Sequence, residues 1–327
     1  MVGPGPRRVP APSRTYASGV VLPRPSATLV RRLAVASVVA NTAIVVTGGA
    51  VRLTDSGLGC PSWPSCTDGS LTPTAEYAEH GVIEFGNRML TFAVGLVALA
   101  TLVAVLLHGR RSLRPLAVAA FLGIPAQAVL GGITVLTGLN PWTVAGHFLL
   151  SMAILAVTVT LAWRAARPAD GPRRPVVAAE LTWLVRGLVA VTAAVLVLGT
   201  VVTGSGPHAG DSAAARTGFD PAAVSQLHAD AVMLLLGLTV AAVLWLRAAR
   251  APATLRRAAA VLLAVELGQG MIGFVQYFTG LPVVLVAVHL LGACLVWISA
   301  VRVLLATGER EPAPAPPAPA RQAYAAA

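Results

Sequence analysis

Three of the six histidines share one placement in the chain. His147, His228 and His289 each stand just inside the start of a long apolar stretch. His228 and His289 are 61 residues apart, and 60 residues before His147 stands Asn87. A polar side chain inside lipid is expensive and marks a functional position by default. Two imidazoles on facing helices of a bundle can clamp one haem iron axially. Zinc fits poorly, because no third or fourth ligand is offered at the same depth. For one isolated histidine, a hydrogen bond to a neighbouring helix is an equally good reading; related histidines at one depth favour haem. His80, His108 and His208 fall in loops or at helix ends and are expected to be structural or solvated.

The elements that must position these side chains follow from composition. The chain is 56% hydrophobic and 11% charged, against about 25% charged for soluble domains. A globular core cannot absorb that apolar excess, so most of the chain must sit in lipid. Spanning helices need about 20 apolar residues, and eight such stretches occur, near 33–51, 84–107, 115–137, 143–163, 183–204, 224–246, 258–279 and 283–305. No charged residue lies between Arg114 and Arg164. Thr137-Gly138-Leu139-Asn140-Pro141 divides that stretch into a hairpin, and Thr279-Gly280-Leu281-Pro282 does the same before the last span, since Gly ends a helix and Pro starts one. The expected fold is an all-α integral membrane protein of eight transmembrane helices.

All 24 basic residues are arginine. All but Arg52, Arg88 and Arg216 fall on the side of the two termini and of the connections after the second, fourth and sixth spans. Positive charge stays in the cytoplasm, so both termini are expected there, with the protein in a bacterial inner (plasma) membrane. The net charge of +11 is then a topology signal, and a nucleic-acid partner is not expected. The loop after the first span lies outside, where a Cys60–Cys66 disulfide is permitted. Residues 1–30 and 306–327 are expected to be disordered cytoplasmic tails, the first lacking the continuous apolar core of a signal peptide.

The spans repeat. Gln127, Gly131, Thr137, Gly138, Leu139 and His147 match Gln269, Gly273, Thr279, Gly280, Leu281 and His289 at a constant offset of 142 residues. Val46-Thr47-Gly48 similarly matches Val202-Thr203-Gly204. The spans therefore form two pseudo-symmetric four-helix bundles, a duplication that puts equivalent sites in both halves. The halves are 31–163, carrying the outer loop 52–82, and 183–305, joined by a cytoplasmic linker at 164–182.

Around the first outer loop the sequence resembles the haem A synthase family. The first span ends in Thr47-Gly48-Gly49-Ala50-Val51-Arg52-Leu53-Thr54. The loop continues Ser56-Gly57-Leu58-Gly59-Cys60-Pro61-Ser62-Trp63-Pro64-Ser65-Cys66, and the second span opens with Glu84-Phe85-Gly86-Asn87-Arg88. These are similar to the family's Thr-Gly-Gly, Arg-Leu-Thr-x-Ser-Gly-Leu, Cys-x-x-Trp-Pro-x-Cys and Glu-x-x-His-Arg segments. The resemblance runs from about residue 33 to 305. It implies oxidation of a methyl group of haem O to the formyl group of haem A. It also implies haem b held between His228 and His289, substrate haem beside His147, Glu84 as the catalytic carboxylate and a Cys60–Cys66 disulfide. The implied partners are haem O, the haem O synthase that supplies it and the terminal oxidase assembly machinery, in surrounding membrane lipid; a homo-oligomer is left open.

The sequence departs from the family where Asn87 replaces the first motif histidine. Asn is a poor iron ligand, which leaves His147 as the single protein ligand expected for substrate haem, with the other axial position left to water or an oxidant. His80 lies seven residues before Asn87, about 10 Å along a helix. Glu84 and Asn87 share a helix face; the plainer reading of Glu84 is a first-turn acid favoured by the helix dipole. Arg52 and Arg88, at helix ends, could orient haem propionates through charge-assisted bonds or simply anchor the interface. Arg216 and Asp230 carry no assigned role. A Cys-x5-Cys spacing cannot attach a c-type haem, and a structural disulfide that pins the loop is favoured over a redox shuttle. Cys294 is expected in the core. Glu266, mid-span, is expected to be protonated or paired. Two other classes compete. A di-haem cytochrome b for electron transfer would need a second ligand where Asn87 stands. A transporter would need polar groups at mid-depth.

Overall fold

In the computed structural model, which describes residues 24–167 and 170–311, eight long helices follow one another in chain order. They are α1 (Ala27–Leu53), α2 (Ala78–His108), α3 (Arg114–Leu136), α4 (Pro141–Ala165), α5 (Ala179–Ser205), α6 (Pro221–Ala248), α7 (Ala253–Phe278) and α8 (Val283–Ala306). Each is long and apolar enough to cross a membrane, and the chain is an all-α membrane protein. Residues 1–23 and 312–327, most of the two expected tails, lie outside the described residues.

Three of the eight helices, α1, α4 and α6, start where a side chain satisfies a free N–H group. The Ser26 hydroxyl accepts from Leu29 N at 3.1 Å, Asn140 Oδ1 from Trp142 N at 3.0 Å and Asp220 Oδ2 from Ala223 N at 3.0 Å. Pro follows Asn140 and Asp220 directly, its fixed φ already helical. The two glycine hairpins have one backbone solution. Gly138 and Leu139 have φ of 61° and 56°, and Gly280 and Leu281 have φ of 78° and 60°. Leu139 N bonds Thr134 O and Leu281 N bonds Gln276 O, so the repeat extends to the peptide hydrogen bonds.

Each half closes as a ring of four helices. In the first, α1 and α3 each pack against both α2 and α4. In the second, α5 and α7 each pack against both α6 and α8. The even helices therefore stand diagonally across each bundle. The halves meet through α1, α4, α5 and α8, around a core of Val45, Met152, Leu155, Val159, Leu196, Cys294 and Val301. Met152 and Cys294 are repeat-equivalent, and both lie in this core, so the pseudo-axis of the duplication runs between α4 and α8. The Trp297 indole N–H crosses the seam to donate to Met152 O at 2.8 Å.

One expectation needs correcting. Part of the linker, Arg173–Pro175 (β1), pairs antiparallel with Gly308–Arg310 (β2), from the segment read as a tail. The edges of this short ribbon are tied by Val176 N to Thr307 O and by Gly171 N to Glu311 O. Arg173 adds bonds to Leu304 O and Thr307 Oγ1. Backbone groups left over at the end of α8 find partners in the linker, which no apolar pattern announces.

Trp297→Phe keeps the seam packed and removes its one indole bond. An interhelical bond of this kind in a membrane bundle contributes about 0.6–1.7 kcal/mol. Thermal unfolding of the variant in detergent is expected a few degrees below wild type; an unchanged midpoint would show that packing alone holds the halves together.

Candidate functional site

The three histidines occupy equivalent seats. A methyl group at Gly131 of α3 would lie 3.2 Å from the Cε1 of His147. Gly199 of α5 faces His228 in the same way at 3.4 Å, and Gly273 of α7 faces His289 at 3.3 Å. The bare backbone lets each imidazole lie against the neighbouring helix. Two glutamines fix the rings lengthwise: Gln127 Nε2 donates to His147 O at 3.1 Å and Gln269 Nε2 to His289 O at 2.8 Å. Nδ1 of His147, His228 and His289 is buried without a partner meeting hydrogen-bond geometry among the described residues.

His228 on α6 and His289 on α8 are on diagonal helices of the second half, as are Asn87 on α2 and His147 on α4 in the first. Nδ1 of each ring lies against the neighbouring helix, where His228 meets the Val195 backbone. Nε2 makes no hydrogen bond among the described residues and suits a tetrapyrrole metal, which brings four nitrogens of its own. Among the described residues no group of three His, Cys, Asp or Glu side chains could hold a bare metal ion. The donor set thus fits haem. Where the family pattern has histidine, the Asn87 Oδ1 accepts from the Thr47 hydroxyl at 2.8 Å.

The same end of the first half, where α4 begins, is closed by the loop between α1 and α2, in which Cys60 and Cys66 are disulfide-bonded. Glu84 and Arg88, one helical turn apart on α2, hold it. Glu84 Oε2 accepts from Cys60 N at 2.6 Å. Arg88 Nε and Nη2 donate to Glu84 Oε1 at 3.2 and 2.6 Å. Its Nη1 donates to Ser62 O and Ser65 O, both at 3.0 Å, and Nη2 also to Cys60 O at 2.8 Å. A guanidinium has five N–H donors, and all five of Arg88 are committed. The fork fixes the loop and is not directed at a propionate. Glu84 is buried, with each oxygen engaged. Arg52 differs: one bond, Nη2 to Thr203 O at 2.8 Å, ties it to α5.

The loop reaches the histidine wall. The Trp63 ring lies on Gly132, where any Cβ would overlap it, one residue from the glycine that seats His147. Leu58 packs on the small core of Leu139, Ala209 and Ala214, and Gly57 N bonds Gly210 O at 2.9 Å. The loops of the two halves form one cap. Arg216 braces the second loop through Ala214 O and Pro207 O, and His208 Nε2 lies 2.9 Å from Leu281 O.

The remaining candidates lie elsewhere. His80 Nδ1 lies 2.9 Å from the Ser56 hydroxyl, and His108 Nδ1 lies 2.9 Å from Pro25 O. Asp230 is exposed and accepts from Gln226. Glu266 accepts from the Thr239 hydroxyl at 2.9 Å, its second oxygen unpartnered. Cys294 is buried between the halves. Three residues of the site carried no assigned role in the sequence. Gly199 has no repeat partner, because the Val-Thr-Gly register pairs it with Ala43. Gly132 pairs with Phe274 and so broke the repeat, which was the available clue. Thr47 lay inside a quoted motif, yet its bond to Asn87 was not legible there.

A family described as "Cytochrome oxidase assembly protein", COX15-CtaA, matches residues 31–301. Among individual proteins, the chain is similar to a "Heme A synthase" from Listeria welshimeri, 34% identical over 131 residues, which cover 39% of this chain and 43% of that protein. A "Heme A synthase" from Lysinibacillus sphaericus is 36% identical over 134 residues, covering 39% and 42%. One from Symbiobacterium thermophilum is 36% identical over 178 residues, covering 50% and 56%. The chain thus spans about half the length of the curated relatives it matches.

Arg88→Lys tests the clamp. An ammonium has three donors and no planar fork, so at least two of the five bonds are lost. At about 1.5–3 kcal/mol for bonds to charged groups, local opening of the loop is expected to rise roughly tenfold or more. The rate at which a soluble reductant opens the Cys60–Cys66 bond reads this directly; an unchanged rate would show that other contacts close the loop.

Proposed function

The chain belongs to the COX15-CtaA family of cytochrome oxidase assembly proteins, and on that premise we propose that it is a haem A synthase, oxidising a methyl group of haem O to the formyl group of haem A for terminal oxidase assembly. The observation that carries this reading is the pair of diagonal seats in each half: imidazole facing imidazole in the second, imidazole facing Asn87 in the first. In this reading His228 and His289 hold a resident haem b, and His147 holds the substrate haem. An electron-transfer cytochrome with two equivalent haems would want a second ligand at Asn87. The arginine-rich ends lie in the cytoplasm of a bacterial plasma membrane, which puts the haem seats and the disulfide loop toward the outer face. A haem O synthase supplies the substrate.

When bound, haem b supplies one-electron redox chemistry. The chain supplies position and electrostatics. The Gly131 seat and the Gln127 bond fix the His147 ring, and with it the substrate. Arg52, with donors not spent on the protein, pairs with a propionate. Trp63 and the pinned loop exclude water from the face they cover. Conversion of methyl to formyl with one water releases four electrons and four protons overall. The electrons would leave through haem b, one at a time, to an acceptor outside this chain, while the carbon passes through an alcohol and a gem-diol that loses water to the aldehyde. Glu84 is the carboxylate assigned to accept a proton released in this sequence. Its Oε2 accepts from Cys60 N, so proton uptake by Glu84 weakens one bond that holds the loop.

Expression with a haem O source, followed by haem extraction, tests the activity. Haem A is expected only when the protein is present, and its absence overturns the proposal. Glu84→Gln is expected to leave the Cys60–Cys66 bond formed while haem O or a hydroxylated intermediate accumulates; wild-type haem A yield from that variant removes Glu84 from the chemistry. His289→Ala is expected to lower bound haem b while the chain still folds, as checked by helical circular dichroism.

A further inference from the structure

The side chain opposite His147 has the wrong chemistry for a metal ligand and the right chemistry for something else. An amide nitrogen has no free lone pair, and the amide oxygen of Asn87 is already taken by the Thr47 hydroxyl at 2.8 Å. That bond, shorter than the hydroxyl's alternative to Ile44 O at 3.2 Å, favours the orientation with the amide nitrogen turned away from Thr47. The amide Nδ2 sits beside the bare backbone of Gly48, and among the described residues this NH2 makes no hydrogen bond, while not being sealed in the core. α2 stands diagonally from α4, so a donor, rather than a ligand, faces His147 across the first bundle. In the second bundle the same diagonal carries two imidazoles.

We infer that Thr47 and Asn87 form a binding site for a small anionic or polar ligand, of the size of azide, cyanide, fluoride or water, at the open axial position of the haem held by His147. The inference rests on the proposal that a haem occupies the first half. Asn87 donates to the ligand, and a hydrogen bond to an anion is among the stronger ones. Thr47 is the positioning residue: without its hydroxyl the amide can flip and present its oxygen, which repels an anion. Gly48 leaves room, since a side chain there would grow toward the amide nitrogen. Between His228 and His289 both diagonal positions carry imidazole, so a haem held there would leave no equivalent place for a small ligand.

The experiment is a titration of the purified full chain, loaded with haem during expression, with extracted haem counted per protein. Two haems per chain are expected. In the ferric state one should be high-spin and one low-spin by electron paramagnetic resonance, and added azide should convert the high-spin signal alone. Asn87→Leu, similar in volume, should keep the high-spin signal and bind azide roughly tenfold more weakly, as loss of one charge-assisted bond implies. Thr47→Val should weaken azide severalfold with the spin state unchanged. Asn87→His should turn the high-spin signal low-spin and abolish the azide response. Two low-spin haems in the wild-type chain, or azide binding untouched by Asn87→Leu, overturn the inference while leaving the haem in place. One haem per chain, lost with His289→Ala, overturns the first-half reading itself and the inference with it.

Discussion

In a close-packed bundle an imidazole can lie against a neighbouring helix only where that helix has no side chain, and the whole site is arranged around three such gaps. Gly131, Gly199 and Gly273 stand 3.2–3.4 Å, measured to an added methyl, from the rings of His147, His228 and His289. Protein interiors are packed as densely as organic crystals, so a ring displaced by one methyl would have to move its helix. Gln127 and Gln269 remove the remaining freedom by binding the carbonyl of the same histidine. The carbonyl has two lone pairs, so the helix keeps its own bond while a second helix is tied to it. Ring position is thus set across the bundle by a glycine and along it by a glutamine, at little side-chain entropy. The glycine hairpins at 138 and 280 complete the constraint, because they fix how far α3 can slide against α4 and α7 against α8.

On this frame the halves diverge at the cap. The second loop is short and braced by Arg216 on its own carbonyls. The first is long, disulfide-closed and clamped by one guanidinium whose five donors meet four oxygens. Loop backbone cannot be buried with its carbonyls unmet, and Arg88 satisfies three of them at once. Glu84 then serves the guanidinium and the Cys60 N–H together. Trp63 carries the consequence to the haem seat, since its place on Gly132 adjoins Gly131. The position equivalent to Gly132 in the second half is Phe274, exposed, where no loop tryptophan needs room.

The spans were legible because lipid imposes their length and composition, and α1, α4 and α6 run past the apolar stretches to where Ser26, Asn140 and Asp220 cap them from polar sequence. His147 and His289 were legible as a pair because the repeat keeps them, together with Gln127 and Gln269. What the pattern could not convey is direction. It marked Arg88 as an outer arginine, but three of its four acceptors are peptide carbonyls, which every residue has. It matched Gly131 with Gly273 without saying what they face, and it passed over Gly199, whose register partner Ala43 is not glycine. The ribbon of β1 and β2 was hidden for a different reason: three-residue strands stabilised by neighbouring helix ends carry no period of their own.

The unequal diagonals suit unequal tasks. A haem gripped by imidazoles from two diagonal helices leaves only if two metal–nitrogen bonds break together or the bundle opens, which is what a resident group requires. A haem gripped by His147 alone is released by one bond, and Asn87, fixed by Thr47, offers the vacated side a hydrogen bond that a solvent molecule can fill at once. The loop over that same half is held by the Arg88 fork, the disulfide and the packing of Trp63 and Leu58, a closure the second half lacks. On the proposed reading, the replacement of a histidine by Asn87 and the growth of the clamped loop are therefore one adaptation. The first loosens the grip on the haem in the half that turns it over, the second shields that half from water, and neither disturbs the glycine seats that the two halves share.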